Sequence, residues 1–226
     1  IGHIYYRQND PQSAIAAYEQ AIAIDPHFTK AYYGLGILHA TKTEDYEKAI
    51  AAYQRGLLEN PGDPFLTANL GSTYARMGQI ERAVEMLEGA AQRDPGESFA
   101  WGWLALLYLH QHRFDDTLAA CRRVNEIEDD HSSYRMMGFV YHAQGRMEEA
   151  AVALERSIEI EADDYEARAA LARVYREMGR PEAADEHYRL AWETAWQDEE
   201  YGRACVCAVS GDFDQALSLL ETSLTK

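Results

Sequence analysis

The stretch from Tyr74 to Ala83 reads YARMGQIERA. It recurs, reworded, as YHAQGRMEEA from Tyr141 to Ala150 and as YREMGRPEAA from Tyr175 to Ala184. The three tyrosines lie 67 and 34 residues apart, which asks for a hidden copy between the first two. That copy is YLHQHRFDDT, from Tyr108 to Thr117, with His112 in the place of the glycine. Upstream, HATKTEDYEKA from His39 to Ala49 carries one extra residue in its turn. YYRQNDPQSA from Tyr5 to Ala14 puts Pro11 where Ile80 stands, and CAVSGDFDQA from Cys207 to Ala216 is the last copy. Seven copies spaced by 32 to 35 residues signal a solenoid.

Each copy reads as two helices. From Pro64 onward, Phe65, Leu66, Leu70 and Tyr74 recur with a helical period. Pro64 suits a first helical turn, where its missing N–H costs nothing. Gly78 supplies a tight turn, and a second helix follows through Ala83, Val84, Leu87 and Ala90. Asp94-Pro95 ends it, because proline biases the preceding residue away from helix; Asp25-Pro26 and Asn60-Pro61 do the same earlier. Asp129, Ala162 and Trp196 replace the proline in later copies. Small residues hold fixed places: Gly36, Gly71, Ala105, Gly138 and Ala172 on first helices, and Ala14, Ala49, Ala83, Thr117, Ala150 and Ala184 on second helices. Small side chains on facing ridges let two helix axes approach closely. One pair cannot bury its apolar faces alone, so stacking on the next pair must complete the core.

Trp101, Leu104 and Tyr108, with Leu70-Gly71, Tyr74, Gly78, Ala83 and Pro95, carry a family pattern. The chain resembles a tetratricopeptide repeat protein over its whole length. The resemblance implies an all-α fold, an α-solenoid of antiparallel helix pairs in a right-handed superhelix whose first helices line a concave groove. The expected division is one array of repeats, 1–28 (partial), 29–63, 64–97, 98–130, 131–164, 165–196 and 197–226. Ile1-Gly2 matches the middle of a first helix, and no polar capping helix follows Leu217, Leu220 and Leu224. A piece of a longer chain is therefore expected.

Composition narrows the function. The 226 residues are 47% hydrophobic and 26% charged, as in folded rather than disordered chains. The formal net charge of −17 repels a phosphate backbone, so no nucleic acid is expected as partner. Only four of the 21 basic residues are lysines; this surplus of carboxylate over lysine suits a salt-rich cell interior as well as ordinary acidity. The apolar run from Trp101 to Leu109 is too short to span a bilayer, so no membrane is expected. Three cysteines make no disulfide framework, and a reducing, cytoplasmic location is expected.

The candidate site is found by subtraction. Trp101, Leu104, Ala105 and Tyr108 occupy repeat-core positions, yet Phe99, Trp103 and Leu106 add a second apolar stripe. The equivalent stripe is Ser132, Met136 and Phe139 in the next copy, Phe65, Asn69 and Ser72 in the preceding one, and Lys30, Gly34 and Ile37 before that. Further on it turns polar, with Glu166, Ala170 and Arg173. The expected partner-binding set is Tyr33, Phe65, Asn69, Phe99, Trp103, Leu106, Arg135, Met136, Phe139 and Arg173, with Arg176 adding positive charge. An exposed apolar patch rimmed by arginine marks an interaction site. Two other roles stay open for these aromatics: a thicker inter-repeat core, or a contact between copies in a homo-oligomer. The Lys/Asn/Asn/Lys/Arg clamp of chaperone-tail binders and the asparagine ladder of sugar-transferase repeats are absent.

Chemistry is not expected. His110 and His112 stand at i and i+2, where helical side chains diverge, and no third ligand is spaced to help. Cys205 and Cys207 share that spacing, and Cys121 sits at a core position. Asp115-Asp116, Asp129-Asp130 and Asp163-Asp164 fall at inter-helix turns, where carboxylates cap helix starts. Neither a phosphate loop nor a nucleophile–base arrangement stands out. The expectation is a non-enzymatic scaffold without cofactor or metal that binds a peptide or helix of a partner. The alternatives are the docking region of a longer enzyme and a self-assembling array.

Overall fold

The structure, a computed structural model, describes residues 2–195 and 199–224. Ile1, Trp196 and the side chains of Leu220 and Leu224 lie outside the described residues. The described residues form helices joined by short turns, without a strand among them. The first helices of the repeats are α1 (Gly2–Arg7), α3 (Thr29–Thr41), α5 (Pro64–Arg76), α7 (Ser98–His110), α9 (His131–Ala143), α11 (Tyr165–Glu177) and α13 (Glu199–Ser210). The second helices are α2 (Pro11–Ile24), α4 (Tyr46–Glu59), α6 (Ile80–Arg93), α8 (Phe114–Ile127), α10 (Met147–Ile160), α12 (Pro181–Ala195) and α14 (Phe213–Leu224). The architecture is the α-solenoid class, built of helix hairpins in tandem. The chain divides into two compact units, Ile1–Leu107 and Tyr108–Lys226, with the division inside α7.

Local chemistry sets the helix ends. Helices α2, α4 and α6 stop at Ile24, Glu59 and Arg93, one residue before Asp25, Asn60 and Asp94 of the proline turns. Helices α8 and α10 stop at Ile127 and Ile160 without that proline. Asp130 and Asp164 cap α9 and α11, accepting the Ser133 and Ala167 N–H groups at 2.7 and 3.0 Å. Asp115 and Asp116 behave differently from the expectation. They lie inside the first turn of α8, whose N-cap is Arg113, and Asp116 accepts from the Arg113 guanidinium at 2.7 Å. There the carboxylates meet the positive end of the helix without capping it.

Every intra-repeat turn passes through one residue with left-handed backbone: Asn9, Glu44, Gly78, His112, Gly145, Gly179 and Gly211. Glycine adopts this conformation without a Cβ clash, whereas Asn9 (φ 57°), Glu44 (52°) and His112 (56°) carry strain there. The extra residue of the copy at His39 is absorbed before Glu44.

Close helix approach accounts for the small residues. In the first unit Ala14, Ala49 and Ala83 are fully buried; in the second Thr117, Ala150 and Ala184 are too. A Cβ at Gly36 would lie 2.2 Å from the ring of Tyr53, and one at Gly138 would lie 2.5 Å from Leu154 Cγ. The core of the first unit joins Ile22, Ala31, Tyr32, Leu35 and Ala52 across α2, α3 and α4. In the second, Val140, Leu154, Leu171 and Val174 anchor a cluster shared by α9, α10 and α11. Of the candidate residues, Phe65, Phe99 and Leu106 stand exposed on first helices, outside this core.

Candidate functional site

In the first unit the expected residues fall into an exposed and a covered group. Phe65 is 50% exposed, Phe99 40% and Leu106 46%. Trp103 is half-buried, and its ring meets that of Phe99 edge-on at 6.4 Å between centroids. The guanidinium of Arg76, at the end of α5, lies over Trp103 at 5.7 Å. Tyr33 is half-buried and shares a cavity of about 360 Å³ with Lys30, Asp63 and Phe65.

Asn69 takes a different place. It is only 9% exposed, and its Nδ2 donates to the Phe65 carbonyl one turn back at 2.8 Å. Its own carbonyl accepts from the Ser72 and Thr73 hydroxyls at 2.9 and 2.8 Å. Burial raises the Tyr33 hydroxyl above its ordinary range, the Glu97 carboxylate adds to this, and a hydrogen bond with the Asn69 side chain opposes it. Asn69 thus braces Tyr33 and its own helix from within the wall of the site.

In the second unit the arginines are engaged. Arg135 bonds Asp164 at 2.8 Å and Glu166 at 3.2 Å. Arg173 pairs with Glu177 at 3.0 Å, and Glu177 also meets His142 at 3.0 Å. Arg176 reaches Asp185 at 3.4 Å. Phe139 and Arg173 line one cavity of about 250 Å³, floored by Gly138, Leu154 and Ala170. Met136 is half-buried. The structure therefore brings Phe139 and Arg173 together and ties Arg135 to the cap of α11.

Sequence reasoning missed a larger cavity in the first unit. About 750 Å³ in volume, it is lined by Tyr6, Tyr18, Ile24, Phe28, Tyr33 and Ile37 among others. Two glycines leave room for Tyr18: a Cβ at Gly2 or Gly34 would lie 2.7 or 2.5 Å from its ring. That glycine pair, one per first helix, was the available signal.

Among the described residues no three His, Cys, Asp or Glu side chains gather as a metal site. His110 and His112 are both exposed. Cys121 is buried, and burial pushes its thiol up to about 12, the setting of a packed rather than a reactive cysteine. Cys207 is buried too, with its sulfur 4.0 Å from the Tyr188 hydroxyl. Among the described residues no helix is long and apolar enough to cross a membrane.

A family model described as the cilia and flagella-associated protein 70 C-terminal domain matches residues 1–206. The chain belongs to this family. It is a tetratricopeptide repeat protein, as the fold requires. Anaphase-promoting complex subunit 3 of Schizosaccharomyces pombe is 22% identical over 193 residues, which cover 85% of this chain and 29% of that protein. The tetratricopeptide array described here thus spans less than a third of that relative's length. A chain of the anaphase-promoting-complex hetero-tetramer Cut9-Hcn1 superimposes with a TM-score of 0.74 at 17% identity, covering 92% of this chain and 41% of its own. YrrB, described as a TPR protein with an unusual peptide-binding site, superimposes with a TM-score of 0.65 at 17% identity, covering 91% and 98%. At these identities the superpositions establish the fold.

Proposed function

We propose that the chain is a non-enzymatic scaffold that holds a peptide or helix of another protein against the outward face of its first helices. The observation that carries this is the trio Phe65, Phe99 and Leu106, three large apolar side chains 40–50% exposed on α5 and α7. Exposed apolar side chains on neighbouring elements are kept where a partner covers them. Trp103 and Arg76, stacked beside them, are residue types that anchor interfaces. Tyr33 borders this face with Asn69 as its brace, and in the second unit Met136, Phe139, Arg135 and Arg173 form a separate candidate surface. The family supports a scaffold role, and the peptide-binding site in the description of YrrB supports a peptide as ligand.

The test is a comparative capture from lysate with the parent chain and its Phe99→Ser/Trp103→Ser variant, with circular dichroism checking that both are helical. A protein held by the parent alone is the expected result. Identical catches from two helical baits would refute the assignment of the face.

A further inference from the structure

The chain has 38 carboxylates, yet none lies on α1, α3, α5, α7 or α9. The ionic residues of the first helices in the first unit are all cationic: Arg7, Lys30 and Arg76. The acid of this unit sits on α2, α4 and α6 and in the loops. In the first unit acid is thus kept off the first helices, within a chain of net charge −17.

Two carboxylates at the edge of the exposed face, Asp63 and Glu97, are occupied at the starts of α5 and α7. Asp63 accepts the Leu66 N–H at 3.0 Å, and Glu97 accepts those of Phe99 and Ala100 at 3.0 and 3.2 Å. Both carboxylates meet the positive end of a helix, which offsets their charge. Lys30 and Arg76 are exposed, and neither is ion-paired with a described residue.

From this sorting we infer that the partner segment on the face of Phe65, Phe99, Trp103 and Leu106 is acidic, with large apolar side chains between its carboxylates. The inference rests on the binding face proposed above and adds the chemistry of its occupant. Net charge alone argues for the opposite, a basic partner. Distance decides between them. A helix is about 10 Å across, so acid on the second helices lies about one Debye length from the face at 0.1 M salt. At contact range the ligand meets Lys30 and Arg76, with aromatic anchors for its apolar side chains.

The experiment pans a phage-displayed library of random dodecapeptides against the whole chain at about 0.1 M salt, then measures recovered peptides by fluorescence anisotropy. The expected peptides combine Asp or Glu with Phe, Trp or Leu. Phe65→Ser/Phe99→Ser abolishes their binding, and Lys30→Glu/Arg76→Glu weakens it on the order of tenfold, the scale of two rim charges reversed. Circular dichroism verifies both variants. Basic or neutral peptides that still need Phe65 and Phe99 would overturn the acidic partner and leave the face standing. Binding that ignores Phe65 and Phe99, or none at all, would overturn both.

Discussion

Arg135 of α9 donates from Nη1 to Asp164 Oδ1 at 2.8 Å, across 29 residues of sequence and onto the cap of the next repeat's first helix. Asp164 is buried, with 2% of its side chain exposed. The same carboxylate caps α11 through the Ala167 N–H and accepts the Ser157 hydroxyl of α10 at 3.0 Å. Ser157 Oγ also lies 2.7 Å from the His131 carbonyl, so its single proton is shared between the two acceptors. One side chain thus joins three helices. Asp164→Ala removes a cap and leaves the Arg135 charge partly stranded, at a cost of about 2–4 kcal/mol. Asp164→Asn keeps the capping oxygen and should lose roughly half as much. Urea unfolding checks both, and equal losses would mean that the ion pair rather than the cap dominates.

The left-handed turn residues make a second prediction. His112→Gly and Glu44→Gly should each raise stability by about 0.5–1 kcal/mol, because they remove a Cβ penalty at φ 56° and 52°. The reverse change, Gly145→Ala at φ 74°, should lower it by about 1 kcal/mol. For a chain of this size that is roughly 2–4 °C in melting temperature. A fall in His112→Gly would show that the imidazole, edge-on to Phe114 at 6.0 Å, matters more than the backbone.

Much of the hairpin frame was legible because its causes are local. Ala49 or Ala83 is small because two helix axes meet there, and a period of about 34 repeats that cause visibly. The turn at His112 was legible by comparison with Gly78, Gly145 and Gly179. The exposure of the apolar stripe was legible at Phe65, Phe99 and Leu106, where apolar residues exceed what the repeat core needs. Placement was illegible at Asn69 and Arg135, because a polar stripe residue can face outward or turn back. Asn69 turns back to the Phe65 carbonyl, and Arg135 reaches an acid 29 residues away. Neither partner is signalled by spacing along one helix.

His39 stands where the next four copies have tyrosine, and this yields a pH dependence. Burial holds its imidazole below the ordinary range, with Lys48 adding to that and Asp45 and Glu19 opposing it. The unfolded chain takes up a proton near pH 6.5 that the folded chain resists, so stability falls as pH drops through about 6.5. The loss is complete below the folded-state value. The capping carboxylates Asp10, Asp45 and Asp130 are shifted down and hold their contribution until more acidic pH. His187, also lowered by burial, shares the neutral window. His39→Tyr should therefore flatten part of the decline in melting temperature between about pH 7 and 5.5. An unchanged slope would assign the whole decline to other groups.

The last prediction separates a binding face from a thickened core. A side chain that is half exposed has little burial to lose. Phe65→Ser should cost no more than about 1 kcal/mol, against the roughly 3–5 kcal/mol typical of a fully buried phenylalanine. Leu104, fully buried on α7, is the control: Leu104→Ala should cost about 2–5 kcal/mol. Thermal unfolding of the two variants beside the parent gives the answer without a partner. If Phe65→Ser matched Leu104→Ala, the aromatic stripe would be part of the core, and the proposed interaction face would lose Phe65. A small loss at Phe65 beside a large one at Leu104 means that the apolar surface on α5 does little for the fold, as the proposed recognition role requires.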